Sequence, residues 1–425
     1  MTRFAVRARL ESVLSWSADV VESAGNEEWP PSESGPIGSI SKMVSEAALL
    51  AVLSSRVLGK NALSVTRLVR AIEGRQDVLD HLYDHLKLRP YLWTSLGLAW
   101  VVLDHFDAAD PRRRAAIRQL WSPTTPQPIE RETFRILDQA WVRSLALGTR
   151  DPQLDSADLI GATALGNLGG GLAMGRDDLY GVTHAAMYAT DFGSRPLCVS
   201  DADWVAPLAF AKLLVCDFDL AIELLMTDLM LGPPSSRAAL TVGIAAISEI
   251  YGLLGFIPSP TFRVAEFDAH RKPDGYVRAN TYHTTFVYGM LCAVAMATAE
   301  QPVLAAFGAQ RDSLPDEWHG VRAGKTDTAD CILHSYQEWL PHCDAQDRPA
   351  LLRTIADAYL IDRVSADDLE TVISLNRMAS VLGASSVDRA ARELVRIRLM
   401  LGGLDPDELD LAGDGAREEA TPTTV

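Results

Sequence analysis

Cysteine is scarce in this chain and never clustered. Cys198, Cys216, Cys292, Cys331 and Cys343 are odd in number and form no CxxC. That argues against a disulfide framework or a cysteine-rich zinc module and suits a reducing cytoplasm. Positive charge is also in short supply. The 39 Lys and Arg face 56 Asp and Glu, for a formal charge of -17, so a nucleic-acid backbone, which needs a basic face, is not an expected partner. A small anionic substrate held by a few arginines is still compatible with that balance. Long apolar runs are missing too. The most apolar one, Phe286 to Thr298, covers 13 residues, short of the roughly 20 that a bilayer span needs. The first 25 residues interleave Arg7, Arg9 and Glu11 with apolar positions instead of showing the uncharged stretch of a signal peptide. A soluble, cytoplasmic protein without membrane contact is expected.

Alternating, β-branched segments are few and short, whereas helical periodicity runs through nearly the whole chain. The pattern predicts helices near Phe4–Glu22, Ile40–Leu58, Ala62–Leu86, Tyr91–Phe106, Pro111–Trp121 and Arg131–Leu147. Proline-rich breaks follow Trp29 and Ser122, and a soft domain boundary is placed near residue 150. More apolar helices follow over Ala157–Leu168, Asp177–Thr190, Asp201–Val215, Phe218–Leu231, Arg237–Gly255 and Thr281–Ala299. Amphipathic ones return over Thr328–Leu340, Pro349–Ile361, Ala366–Leu382 and Ser386–Leu401, before an acidic, Thr/Pro-rich tail over 405–425 that reads as disordered. The 1–150 stretch is thus an N-terminal helical region, and 151–404 a helical core carrying the chemistry. Apolar helices between amphipathic ones, without a sequence repeat, predict an all-α fold: an α/α toroid or a compact multi-helix assembly with a central cavity.

The stretch from Asp177 to Gly193 reads as the central helix. Asp177 and Asp178 suit its positive end and Gly193 its C-cap. Tyr180, His184, Met187 and Asp191 recur at four, three and four residues and so share one face. A face mixing aromatic and ionisable groups is not an ordinary core stripe. His283, in Tyr282-His283-Thr284-Thr285, is read as a first-turn histidine, where the positive end of the helix favours the neutral, metal-binding imidazole. Asp217 and Asp219 open the next candidate helix, with Glu223 one turn beyond, in apolar surroundings that call for a cation, a proton or a metal. The plain alternatives are capping for the acids and hydrogen-bonded core positions for the histidines.

Two histidines and one or two carboxylates from separate helices make a Zn²⁺ or Fe²⁺ site with open positions. His184, Asp191, Asp217 and His283 are the expected metal ligands. Tyr180, Tyr188 and Asp219 are the expected catalytic groups. Lesser candidates are the His81/His85 pair, four apart on a helix, and Cys331, His334, His342 and Cys343, whose spacing does not suit a zinc finger. The glycines from Gly166 to Gly175 form no phosphate-binding motif.

The string Thr183-His184-x-x-Met187-Tyr188-x-Thr190-Asp191-Phe192-Gly193, with Tyr282-His283-Thr284-Thr285, resembles the paired signatures of an all-helical bacterial family with no assigned reaction. The likeness covers roughly residues 155 to 300 and implies the helical fold, not a chemistry. Toroidal lanthionine cyclases do not fit, because Pro341-His342-Cys343 runs into Asp344 instead of a glycine. Class II terpene cyclases do not fit either, because Asp217-Phe218-Asp219 runs into Leu220 and the DxDD acid is lost. The expected function is a metal-dependent biosynthetic enzyme acting on a small molecule or peptide. Its rivals are a non-catalytic scaffold that binds a partner protein through its acidic surface, and a metal-free cyclase or lyase.

Overall fold

A computed structural model describes residues 2–24, 39–89, 92–120, 131–232, 236–263, 266–267, 273–309, 345–366, 372 and 385–401. Among these residues there is no strand, and the protein is all-α. In chain order the helices are α1 (Thr2–Ser23), α2 (Ser39–Leu58), α3 (Leu63–Gly74), α4 (Gln76–Leu88), α5 (Trp93–His105), α6 (Pro111–Leu120) and α7 (Thr133–Leu147). They continue as α8 (Ala157–Gly161), α9 (Arg176–Ala189), α10 (Val205–Leu214), α11 (Phe218–Met230), α12 (Arg237–Leu254), α13 (Pro273–Thr298), α14 (Gln301–Ala306), α15 (Arg348–Ser365) and α16 (Ser386–Leu401).

Six of them close a ring. Helix α2 packs on α5, α5 on α7, α7 on α9, α9 on α11, α11 on α13, and α13 returns to α2. Each of the six sends side chains into one cavity of about 780 Å³, and the helices that alternate with them along the chain line none of it. The ring takes three helices from each side of residue 150, and a single hydrophobic cluster runs from Val6 to Val395 across both parts. Close packing holds the ring together. Gly289 of α13 sits where a Cβ would lie 2.7 Å from Val13 of α1 and 2.9 Å from Leu50 of α2, so only a bare backbone lets these helices approach. Helix α12 is long and apolar enough by composition alone to cross a membrane, but 67% of it is buried within the protein.

Local signals explain several boundaries. Helix α9 begins with Asp178 reaching back to the Gly175 amide (2.9 Å), and Ser236 caps α12 by accepting from Ala239 N at 3.2 Å. The expected Ala62–Leu86 helix is broken at Arg75, whose backbone leaves the helical region (φ -89°, ψ 54°) while its guanidinium donates to the Val21 and Ala24 carbonyls. The Gly169–Gly171 segment lies in a 3₁₀ turn, where Gly171 packs under the Trp204 ring. Ser365 is the last residue of α15 and donates to Ile361 O. The Thr328–Leu340 helix, Cys331, His334, His342, Cys343 and the 405–425 tail lie outside the described residues.

One displaced boundary changes the chemistry. Helix α13 starts at Pro273, eight residues before the expected Thr281, and the side-chain amide of Asn280, inside the helix, donates to Tyr276 O. His283 therefore sits in the body of the helix, beyond the reach of the helix-end field, which fades within the first turn.

Candidate metal centre

Most of the expected residues meet in the cavity. Tyr180, His184 and Tyr188 descend one face of α9, Asp219 and Glu223 stand a turn apart on α11, and His283 faces them from α13. The imidazole of His283 is held at both ends. Its Nδ1 lies 2.8 Å from Glu46 Oε2 on α2, and its Nε2 lies 3.2 Å from Asp219 Oδ1. Because a carboxylate only accepts, the Nδ1–H is the donor to Glu46. On the other side, Asp219 Oδ2 accepts from the Tyr180 hydroxyl at 2.6 Å, and Arg176 donates to that hydroxyl at 3.0 Å. Thr183 donates to Glu223 Oε2 at 2.5 Å, and His184 Nε2 stands 3.9 Å from Glu223 Oε1.

The electrostatics follow from burial and from these partners. Burial alone would push the His283 imidazole down, but Glu46 and Asp219 hold it well above its ordinary value. The expected depression of this histidine is therefore reversed, since two carboxylates face it and no helix terminus does. Burial would raise Asp219, yet the charge of the nearby His283 imidazole and the hydrogen bond from Tyr180 hold it well below the usual carboxylate range. Glu46 is likewise held low against its burial by His283 and Lys42. Glu223 goes the other way, pushed up by burial and then by the neighbouring Asp219 charge. Burial, with Arg135 and His283 adding to it, depresses His184 to about 4, so its ring is neutral near pH 7.

Two of the expected ligands are placed elsewhere. Asp191 does not line the cavity. Its Oδ1 accepts from Arg56 Nη2 (2.9 Å) and Trp141 Nε1 (2.7 Å), and its backbone is left-handed, as are those of Phe192 and Gly193. The helix ends at Thr190, so the sharp turn carries Asp191 off the shared face and ties α9 to α2 and α7. Asp217 does not line the cavity either and instead makes an ion pair with Arg176 at 2.9 Å. Sequence reasoning overlooked Glu46, Arg135 and Asp138, and gave Glu223 no role of its own. The available signal was a lone acid in an otherwise apolar run: Ser45-Glu46-Ala47-Ala48, Ile136-Leu137-Asp138 and Ala221-Ile222-Glu223-Leu224.

Asp219, Glu223 and His283 each offer a ligand atom, and those atoms lie within 4.8 Å of one another. The 3.2 Å between His283 Nε2 and Asp219 Oδ1 matches the edge of a coordination polyhedron, about 3.0–3.4 Å for bonds near 2.1 Å. Asp219 is only 3% exposed, and its Oδ1 makes no aligned hydrogen bond. Glu46 occupies the place of the carboxylate that orients a ligating imidazole through its other nitrogen.

A family model described as a domain of unknown function (DUF6895) matches residues 10–293. The chain belongs to this family. The match takes in all six ring helices except the last residues of α13, so the cavity and its ionisable groups lie within the family's domain. No curated protein and no solved structure matches the chain.

Proposed function

We propose that this protein is a divalent-metal-dependent enzyme acting on a small organic molecule held in the ring cavity. One observation carries the reading: a buried Asp219 oxygen without an aligned donor stands 3.2 Å from an imidazole nitrogen whose opposite nitrogen is fixed by Glu46. Two neighbouring buried carboxyls, here Asp219 and Glu223, cannot both ionise cheaply, and a cation between them removes that conflict. Asp219, Glu223 and His283 would hold the ion, with His184, kept neutral by burial, at a fourth position. The ion would supply polarisation of a substrate oxygen or activation of a water. Tyr180, already donating to Asp219 Oδ2, fixes that ligand's orientation. Tyr188 lines the substrate space. A cavity of about 780 Å³ is within the roughly 300–1,000 Å³ range of small-molecule sites.

Metal content of untagged protein, with titration of metal-stripped protein by Zn²⁺, Fe²⁺ and Mn²⁺, is the test. About one tightly held equivalent is expected, lost in Asp219→Asn and in His283→Gln. His81→Ala serves as the background control, because the His81 and His85 rings are 4.2 Å apart on α4, close enough for adventitious surface chelation. Equal metal content in the wild type and in both site variants overturns the reading.

A second reading has its own support. Asp219 held low beside Glu223 held high is the split that lets two carboxyls act as base and acid without a metal. It predicts that chelators leave turnover unchanged.

A further inference from the structure

We infer that the α7 wall of the cavity is a recognition subsite for an α-amino acid head group, with Asp138 taking the ammonium and Arg135 the carboxylate. The inference rests on the cavity's being a substrate site and names the class of substrate. Arg135 and Asp138 are three apart on α7, so both reach the cavity from one face. Their closest atoms, Arg135 Nη1 and Asp138 Oδ2, are 3.9 Å apart, longer than a direct charge-assisted hydrogen bond. A zwitterion whose opposite charges are one carbon apart can bridge such a pair and satisfy both ends.

The two groups differ in a way that suits the assignment. Asp138 is 9% exposed and its carboxyl is hydrogen-bonded to the Tyr188 hydroxyl; an ammonium closer than Arg135 stands would stabilise its charged form. Arg135 is half-exposed, with its guanidinium held over the Phe134 ring, 4.8 Å from the centroid. A plain amine would leave Arg135 with Glu132 alone, 3.6 Å from its Nε, and a plain acid would meet Asp138, so a ligand carrying both charges fits best. Leu49, Leu98, Met187 and Met290 line the same cavity and would receive an apolar side chain.

Calorimetry on the full chain tests this, first with EDTA and then with Zn²⁺, so that loss of the metal reading and loss of this one are seen separately. The probes are L-phenylalanine, L-leucine and L-alanine, with 2-phenylethylamine (no carboxylate) and 3-phenylpropionate (no ammonium). L-Phenylalanine should bind about tenfold or more tightly than either truncated analogue, the worth of one charge-assisted hydrogen bond. Asp138→Asn should erase only the advantage over 3-phenylpropionate, and Arg135→Gln only that over 2-phenylethylamine. Arg135, being half-exposed, can be replaced without unfolding the chain, which keeps the test decisive if Asp138→Asn fails to fold. Failure of all three amino acids at millimolar concentration, or equal affinity for L-phenylalanine and its analogues, overturns the inference.

Discussion

Glu46 and His283 are 237 residues apart in the chain, yet their side chains meet at 2.8 Å across the α2–α13 contact. The pairing fixes which nitrogen faces the cavity: with Nδ1–H given to Glu46, Nε2 is turned to Asp219, and a metal bound there would replace the Nε2 proton. If a metal sits there, Glu46 is a positioning residue that never touches it. Glu46→Gln keeps the shape but removes the charge, and should weaken metal binding by roughly 10–100-fold, the usual cost of losing such a partner. Titration of metal-stripped protein measures this, and the d–d spectrum of the Co²⁺-loaded form should shift. A merely structural Glu46 would lower the melting temperature and leave both metal readouts alone.

Asp191 should behave in the opposite way. Its Oδ1 joins Arg56 and Trp141, and its φ of 49° is one that few residues other than glycine, asparagine and aspartate tolerate. Asp191→Ala loses the two hydrogen bonds and strains the turn together, for an expected cost of about 1–3 kcal/mol. Asp191→Asn keeps the backbone tolerance and should cost less. Chemical denaturation orders the two variants, while metal stoichiometry should stay at the wild-type value in both.

How far the sequence reveals this site depends on what each feature requires. Helical periodicity is local, so the all-α fold could be read directly, and Tyr180, His184, Asp219 and His283 were found because ionisable groups in apolar helices are costly wherever those helices pack. The partners of these residues are another matter. Glu46 meets His283 only because α13 packs back on α2, a contact between distant segments that no spacing rule encodes. Asp191 shows the reverse error. It keeps the period of its helix in the sequence, but the chain leaves the helix at Thr190, and three consecutive left-handed residues turn it elsewhere. For His283 the error was one of helix length, and the eight residues before Thr281 decide whether a dipole or a pair of carboxylates sets its charge.

Gly289 offers a check on the ring itself. A methyl group there would press on Val13 and Leu50 at 2.7 and 2.9 Å, and neither α1 nor α2 can retreat without opening the core. Gly289→Ala should cost about 1–3 kcal/mol by overpacking. Because α2 carries Glu46 and α13 carries His283, the same variant should also loosen metal binding. The control is Gly59→Ala, outside any contact but at a left-handed backbone, which should destabilise the protein without touching the metal.

Asp138 predicts a pH dependence of stability. Burial, against the opposing charges of Arg135 and Arg131, raises its carboxyl from 3.8 to about 6. The folded protein thus favours the neutral form more than the unfolded chain does. That contribution is complete below pH 3.8 and is lost as the pH rises through about 6. A shift of this size corresponds to roughly 3 kcal/mol. Asparagine at this position stays neutral and loses nothing. The stability difference between Asp138→Asn and wild type should therefore move in favour of the variant between pH 4 and 7, by a few degrees in melting temperature. L-Phenylalanine, if its ammonium reaches Asp138, should restore part of the wild-type loss at pH 7 and do nothing for the variant. A difference that stays flat across the range would mean that Asp138 is ionised in the fold at pH 4, with a cation already beside it.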